Sequence, residues 1–470
     1  MSEKRRENFS ILFKPTHACN FKCEYCHDRS NRERVGDMRA PDELLKHTLK
    51  LLEEYTKNVQ FIWHGGEPTV LGTQYYRDVQ DEFYYRYKTK FEQSLQSNGS
   101  LLNEDWLKLK KEANISIGVS NDILSQEIRV GMQYSLGELA KLFDKHEFGL
   151  SVITVINGEN CEMMLDILKK GEEIGLRSLS MNAIYNPSRN KKLPKHLELD
   201  PVKYAESFEE MMKYWLYNDI KIGERSMKEK ICLVCGSTEQ TTCTYGDCRM
   251  HWIGVGPTGE VTFCDRDLGE GFDFGNIMDM ESIDDYHNSQ GFIKFYNDVQ
   301  SRLDNYCSKC NYFRFCRGGC NANHLSATGT LTKCDEIRCE CTKKTFDVAY
   351  KLLRELDIRS NDMNKTAKEY LNNLDYIPLV EIKEFLKKKN IDLSNATYEE
   401  DNITNCKEFK LFKLFNQDKE PAVGSIHSDY VGYHPEPTEN MMIAEANRKS
   451  FIESFYRDFK NKIYEITEGK

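Results

Sequence analysis

Three cysteines near the start of the chain, Cys19, Cys23 and Cys26, stand in C-x3-C-x2-C spacing within PTHACNFKCEYCH, directly after the apolar run ILF. Three thiolates on one curled loop suit a [4Fe-4S] cube, and three ligands for four irons leave one iron open. A structural centre is ordinarily closed by a fourth ligand, as zinc sites are, so the lack of a fourth cysteine nearby points to chemistry at the open iron. A second, denser set of thiols lies downstream in CRMHWIGVGPTGEVTFCDRD, CSKCNYFRFCRGGC and KCDEIRCEC. Thiolates packed at such spacing need at least two multinuclear sites, or zinc sites, to be neutralised. Spacing alone leaves both open.

The elements that must position these groups read as alternating strands and helices. The run ILF, then VQFIWHGGEPTVLG, FEQSLQSNGSLLN, ISIGVSND, GLSVITVINGEN and LRSLSMNAIYNP predict six strands. PDELLKHTLKLLEEYTKN, which puts Leu45, Leu49 and Leu52 on one face, predicts the first intervening helix. YYRDVQDEFYYRYKTK, NEDWLKLKKEA, SLGELAKLFDKHE and CEMMLDILKKGEEIG predict the next four, with PVKYAESFEEMMKYWLYND as a bridge beyond the sixth strand. Regular alternation predicts a parallel α/β sheet wrapped by helices, with six units rather than the eight of a closed barrel. In such folds ligands sit at the carboxyl ends of the strands. Those ends here are Cys19, His64-Gly65-Gly66-Glu67-Pro68, Ser97-Asn98-Gly99 and Ser120-Asn121-Asp122.

On the triplet, the aromatic Tyr25 before its third cysteine, and GGEP at the end of the next strand, the chain resembles the radical SAM family. The resemblance implies a partial (β/α)6 TIM-like barrel. In that family the open iron chelates S-adenosyl-L-methionine, and one electron cleaves it to a 5'-deoxyadenosyl radical. It also implies that the turn Gly65, Gly66, Glu67 and Pro68 holds the amino group of that molecule and that Ser120 meets its ribose. Asn121-Asp122-Ile123 departs from the family's usual apolar-Asp-Gly.

Downstream, Cys248, Gly259 and Cys264, followed by Cys307, Cys310, Cys316 and Cys320, resemble the SPASM domain. That resemblance implies two auxiliary [4Fe-4S] clusters, one on Cys243, Cys248, Cys264 and Cys320. The other falls on Cys307, Cys310, Cys316 and one of Cys334, Cys339 or Cys341. Asp265 follows Cys264 directly, and in the anaerobic sulfatase-maturating enzymes, which the chain also resembles, an Asp there is the general base. The residues equally admit a carboxylate that pairs with Arg266 or Arg249 and tunes a cluster. His64, Trp63 and Tyr312 are expected in the core or shielding a cluster. Cys232 and Cys235, Cys161 and Cys406 receive no role.

The chain has 470 residues, 17 cysteines, a net charge of -10, 39% hydrophobic and 30% charged residues. Such a composition fits a multi-domain globular protein, with no apolar run of the ~18 residues a membrane span needs. MSEKRRENFS lacks a signal peptide's apolar stretch, so a cytoplasmic address and reduced, ligating thiols are expected rather than disulfides. Without a basic stripe, neither a nucleic acid nor a membrane is an expected partner. Expected domains are residues 1–225 (barrel), 226–345 (auxiliary clusters) and 346–470, a mainly helical C-terminal extension. TKKTFDVAYKLLRELD, TAKEYLNNLDY, LVEIKEFLKKKN and MMIAEANRKSFIESFYRDFKNKIYEI predict its helices. The loop between the last two carries His427, Tyr430, Tyr433 and His434. The chain opens almost on its first strand, so a peptide leader is expected to meet this extension or a separate protein.

By family habit, the expected activity is oxidoreductase chemistry on a ribosomally made peptide (RiPP maturation), by crosslinking or oxidation. A flavodoxin or ferredoxin-type reductant would serve it. Formation of formylglycine in a sulfatase is the alternative, and a non-enzymatic iron-sulfur electron carrier is a distant third.

Overall fold

The computed structural model describes residues 6–373, apart from 29–31, 33–35, 86–88, 126–127, 132–133, 188–191, 235–241, 246–247, 267–270 and 357–362. Cys235, Cys406, the two distal helices and the histidine-bearing loop of the extension lie outside the described residues. All six expected strands form: β1 (Arg6–Phe13), β2 (Thr56–Trp63), β3 (Lys90–Ser97), β4 (Ile115–Ser120), β5 (Ser151–Ile156) and β6 (Ser178–Ala183). Each pairs in parallel with the next, giving a partial barrel-like sheet. Connecting them are α1 (Asp42–Tyr55), α2 (Gly72–Tyr85), α3 (Glu104–Glu112), α4 (Leu136–Lys145) and α5 (Met164–Ile174), with α6 (Pro201–Tyr217) beyond.

Local chemistry explains where these helices begin. Asn103 accepts from the backbone of Asp105 and Trp106, Ser135 from Glu138, and Asp200, ahead of a proline, from Val202 and Lys203. Each cap satisfies donors that the first turn leaves open. The apolar face of α1, including Leu45, Leu49 and Leu52, is buried. Under the sheet Phe13, Phe61 and Trp63 pack ring to ring, and the Trp63 indole donates to Gln93 at 3.0 Å.

One extension of the sheet was not foreseen from sequence. β7 (Trp252–Val255) pairs in parallel with β1, from Ser10 with Trp252 to Phe13 with Val255, and β8 (Val261–Thr262) returns antiparallel. Cys264 and Asp265 follow β8 at once, so this hairpin carries the second cysteine set to the edge where the first begins. Gly259 turns it with φ +85°, a left-handed conformation that glycine adopts without strain.

Beyond β6 comes another unforeseen helix, α7 (Arg225–Val234), capped by the fully buried Glu224. Glu224 accepts from the backbone of Met181, Ser226 and Met227, tying α7 to β6. The cysteine-rich part adds α8 (Ile283–Asn288), α9 (Gln290–Arg302), α10 (Phe313–Cys316), α11 (Asn321–Thr328) and α12 (Glu336–Glu355), and the expected extension contributes α13 (Lys365–Asn373). The sequence placed α12 from Thr342 onward. Its true start puts Cys339 and Cys341 on the helix. No helix among the described residues is long and apolar enough to cross a membrane.

Candidate active site

The segment bearing Cys19, Cys23 and Cys26 runs past the end of β1, anchored from beneath by a buried ionic group. Lys14 donates to Asp28 at 2.7 Å, and the other oxygen of Asp28 lies 3.0 Å from the His17 ring. These three residues are at most 5% exposed. Burial raises the Asp28 pKa, but Lys14 and His17 outweigh it and hold the carboxyl well below its usual range.

The three cysteines are half-buried and close enough to raise one another's pKa, and no disulfide joins any described cysteine. Burial pushes the Cys19 thiol up to about 12 and Cys23 to about 11. Such thiols stay protonated at neutral pH unless a metal takes the proton's place. The donor set therefore fits an iron-sulfur centre.

The GGEP turn lies directly against this segment. Gly66 donates to Thr16 at 3.1 Å and Glu67 to Ala18 at 2.7 Å through their backbones, continuing the β1–β2 ladder past the strands. A Cβ on Gly66 would sit 2.3 Å from the carbonyl oxygens of His17 and Ala18, and one on Gly65 would sit 2.4 Å from that of Thr16. Only glycine permits the approach. Pro68 is buried at the start of a 3₁₀ turn.

The Glu67 carboxylate is 1% exposed and occupied by the protein itself. It accepts from the Thr69 backbone at 3.0 Å, the Thr69 hydroxyl, the Ser97 hydroxyl at 2.9 Å and the Asn98 backbone at 2.6 Å. Burial nonetheless raises its pKa. Glu67 thus joins the GGEP turn to the end of β3. The backbone of that turn remains as the part able to face a ligand.

Tyr25 and Ser120 are held from the β4 side. The Tyr25 hydroxyl donates to Asp122 and accepts from Arg129 at 2.8 Å, while the fully buried Asp122 also accepts from Val155 at 2.8 Å. Gln96 donates to the Ser120 hydroxyl at 2.8 Å. The Asp of Asn121-Asp122-Ile123 therefore clamps Tyr25, a role that the sequence did not reveal.

Asp265 lies where the two cysteine sets meet. Its Oδ1 accepts from Cys264 at 2.9 Å, and its Oδ2 is 3.5 Å from His27 and 3.8 Å from His64. Burial raises its pKa, yet its neighbours His27, His64 and Arg266 outweigh this and hold it well below the usual range. Burial lowers His27 to about 4, against the pull of Asp265, so a neutral imidazole faces an ionised carboxylate at neutral pH. Tyr185, at the end of β6, meets His27 at 3.1 Å, and the Arg266 guanidinium lies 3.2 Å above the Tyr185 ring.

His64, expected in the core or shielding a cluster, lies 3.8 Å from Asp265. Trp63 is core, as expected, and the Tyr312 hydroxyl donates to Asp347 at 2.6 Å. Sequence reasoning missed His27, Tyr185 and Arg129, and placed Asp122 at its strand end without its role toward Tyr25. Only the position of His27, directly after Cys26, offered a signal.

The downstream thiols fall into two groups. Cys320 lies close enough to Cys243 and to Cys264 to raise their pKa, and Asn321, next to Cys320, donates to Cys248 at 3.5 Å. Cys316 feels Cys307 and Cys310, and the Cys307 and Cys334 sulfurs are 4.0 Å apart, with Cys339 beside Cys334. Cys341 is buried elsewhere, toward Arg338, Asp335 and Lys230. Cys232 is buried on α7 and Cys161 opens a short turn before α5.

A parallel partial barrel with three thiols at one strand end, a glycine turn against them and a second cysteine-rich region on the same edge fits an iron-sulfur protein. Residues 13–171 match the Radical SAM superfamily, and residues 243–311 match the SPASM iron-sulfur cluster-binding domain. The chain thus carries a region matching the radical SAM domain followed by one matching the SPASM domain. These domains imply a [4Fe-4S] cluster that works with S-adenosylmethionine, together with auxiliary clusters.

The chain is 26% identical over 371 residues to a cysteine-type anaerobic sulfatase-maturating enzyme of Clostridium perfringens, covering 73% of this chain and 96% of the relative. It is 23% identical over 334 residues to the antilisterial bacteriocin subtilosin biosynthesis protein AlbA of Bacillus subtilis, covering 67% of each. The solved structure of native anSMEcpe with bound AdoMet and Cp18Cys peptide shares the fold, with a TM-score of 0.63 and 22% identity over 78% of this chain and 99% of that one.

Proposed function

We propose that this protein oxidises a cysteine or serine side chain in a polypeptide substrate, in the manner of a sulfatase maturase. The observation that carries this reading is the half-buried, ionised Asp265 carboxylate between the residue next to Cys26 and a cysteine of the second set. Similarity to the Clostridium perfringens relative supports it. When bound, the cluster and S-adenosylmethionine supply a carbon radical able to take a hydrogen atom from an unactivated carbon. Cys19, Cys23 and Cys26 would hold that cluster, and the Gly65–Gly66 backbone, kept in place by Glu67, would orient the cofactor beside it.

The chain's own groups then handle the proton. Asp265 accepts it from the substrate heteroatom, with His27 and His64 flanking the carboxylate and Tyr185 hydrogen-bonded to His27. Auxiliary clusters would be held by Cys243, Cys248, Cys264 and Cys320, with Cys264 directly beside Asp265, and by Cys307, Cys310, Cys316 and Cys334, and would take up the electron that oxidation releases. A second reading, crosslinking within a ribosomally made peptide, draws on the similarity to AlbA.

Positioned acid-base groups contribute about 10²–10⁴-fold. Asp265→Asn should lower product formation by that order while 5'-deoxyadenosine is still released. Unchanged product formation rejects the base role. A hydrazide-trapped aldehyde in the product supports formylglycine, whereas a carbonyl-free product two hydrogens lighter supports the crosslink.

A further inference from the structure

Arg302 ends α9 and is only 1% exposed. Nη2 donates to Asn321 Oδ1 at 2.7 Å and Nη1 to the Leu331 carbonyl at 3.2 Å, while Nε has no acceptor. Among the described residues no carboxylate pairs with it. The groups of opposite charge potential around it are the thiols of Cys307, Cys334 and Cys320. A guanidinium is permanently charged, and burying one without an anion is heavily unfavourable. The arrangement makes physical sense once those sulfurs are anionic, as they are when they ligate iron.

The backbone supports the same conclusion. Leu303–Cys307 forms a π-helical turn, closed by the Ser308 backbone donating to Leu303 at 2.7 Å, and this wide turn brings Cys307 back beside Arg302. Asn321 fixes the guanidinium with its oxygen and reaches Cys248 of the other thiol group with its nitrogen, at 3.5 Å. One buried cation therefore stands between the two sets.

We propose that Arg302 is the built-in counter-charge of the second auxiliary cluster and raises its reduction potential. Reduction adds one electron and no proton to the cluster, and a fixed cation in a low-dielectric interior favours the more negative state. This rests on the cysteine partition proposed above.

The test is an anaerobic redox titration followed by electron paramagnetic resonance, on full-length protein with Cys19, Cys23 and Cys26 changed to Ala to silence the first cluster. Dithionite supplies the electrons through mediator dyes. At the potential where the second cluster is half reduced, Arg302→Met should lower the reduced-to-oxidised ratio at least tenfold, equivalent to 59 mV for one electron. Arg302→Lys should shift it less. Wild-type iron content with an unmoved midpoint in Arg302→Met overturns the proposal. Should Arg302→Met load poorly, Arg302→Lys decides: full iron with a midpoint near that of the parent supports the charge role, and iron loss there as well makes Arg302 a scaffold residue and overturns it. A parent protein without auxiliary iron refutes the cluster assignment instead.

Discussion

Replacing Glu67 by Gln should loosen the GGEP turn before any cofactor is bound. Oε1 accepts from the Thr69 backbone and the Thr69 and Ser97 hydroxyls, and Oε2 accepts from the Asn98 backbone at 2.6 Å. Glutamine keeps one acceptor oxygen and places an amide N–H against a backbone N–H, whichever way it turns. One charge-assisted bond, about 1.5–3 kcal/mol, is lost, and a buried N–H is left unsatisfied at about 1–3 kcal/mol. Partial relaxation of the turn would leave a loss of about 3 kcal/mol. Chemical denaturation of the cluster-free protein reads this directly, and calorimetric titration of reconstituted protein with S-adenosylmethionine should show affinity weakened at least tenfold. Affinity falling with stability unchanged would mean that Glu67 touches the ligand itself. No change in either quantity would refute the anchoring argument.

Two further outcomes follow from buried groups. Asp28→Asn removes the carboxylate shared by buried Lys14 and His17, and should cost about 3–5 kcal/mol in denaturation of the cluster-free protein. Because the native Asp28 pKa is depressed, its contribution is present above the unfolded value of about 3.9 and is lost as pH falls through the native one. The variant's acid limb should be correspondingly flatter, and an acid limb identical to the wild type contradicts the pairing. Among the late cysteines, Cys334→Ser should reduce bound iron by one cluster's worth and Cys341→Ser should not. The reverse would reassign the ligand.

Much of the site was legible because its residues sit at strand ends that the apolar runs announce. Cys19, Gly65, Gly66 and Ser120 are each adjacent in sequence to the strand or turn that positions them. The parts that escaped depend on pairings distant in sequence. The short strands WIGV and VT carry little periodic signal, and β7 is a strand because β1 offers it an edge, more than two hundred residues earlier. Likewise His64 lies near Asp265 only because the β7–β8 hairpin brings Asp265 to it. Tyr185 and His27 meet only when the sheet curls. From sequence Glu67 reads as a ligand-facing group, because nothing in GGEP announces that Ser97 and Asn98, one strand later, occupy its carboxylate.

The central claim is that Cys19, Cys23 and Cys26, with the turn beside them, hold a cluster that cleaves S-adenosylmethionine. Its most direct test is the 5'-deoxyadenosine released when anaerobically reconstituted protein receives S-adenosylmethionine and dithionite. The wild type should release it, and the Cys19, Cys23 and Cys26 to Ala variant should release none while keeping its auxiliary iron. Fully iron-loaded wild type that yields no 5'-deoxyadenosine, or a triple variant that still yields it, would contradict the account.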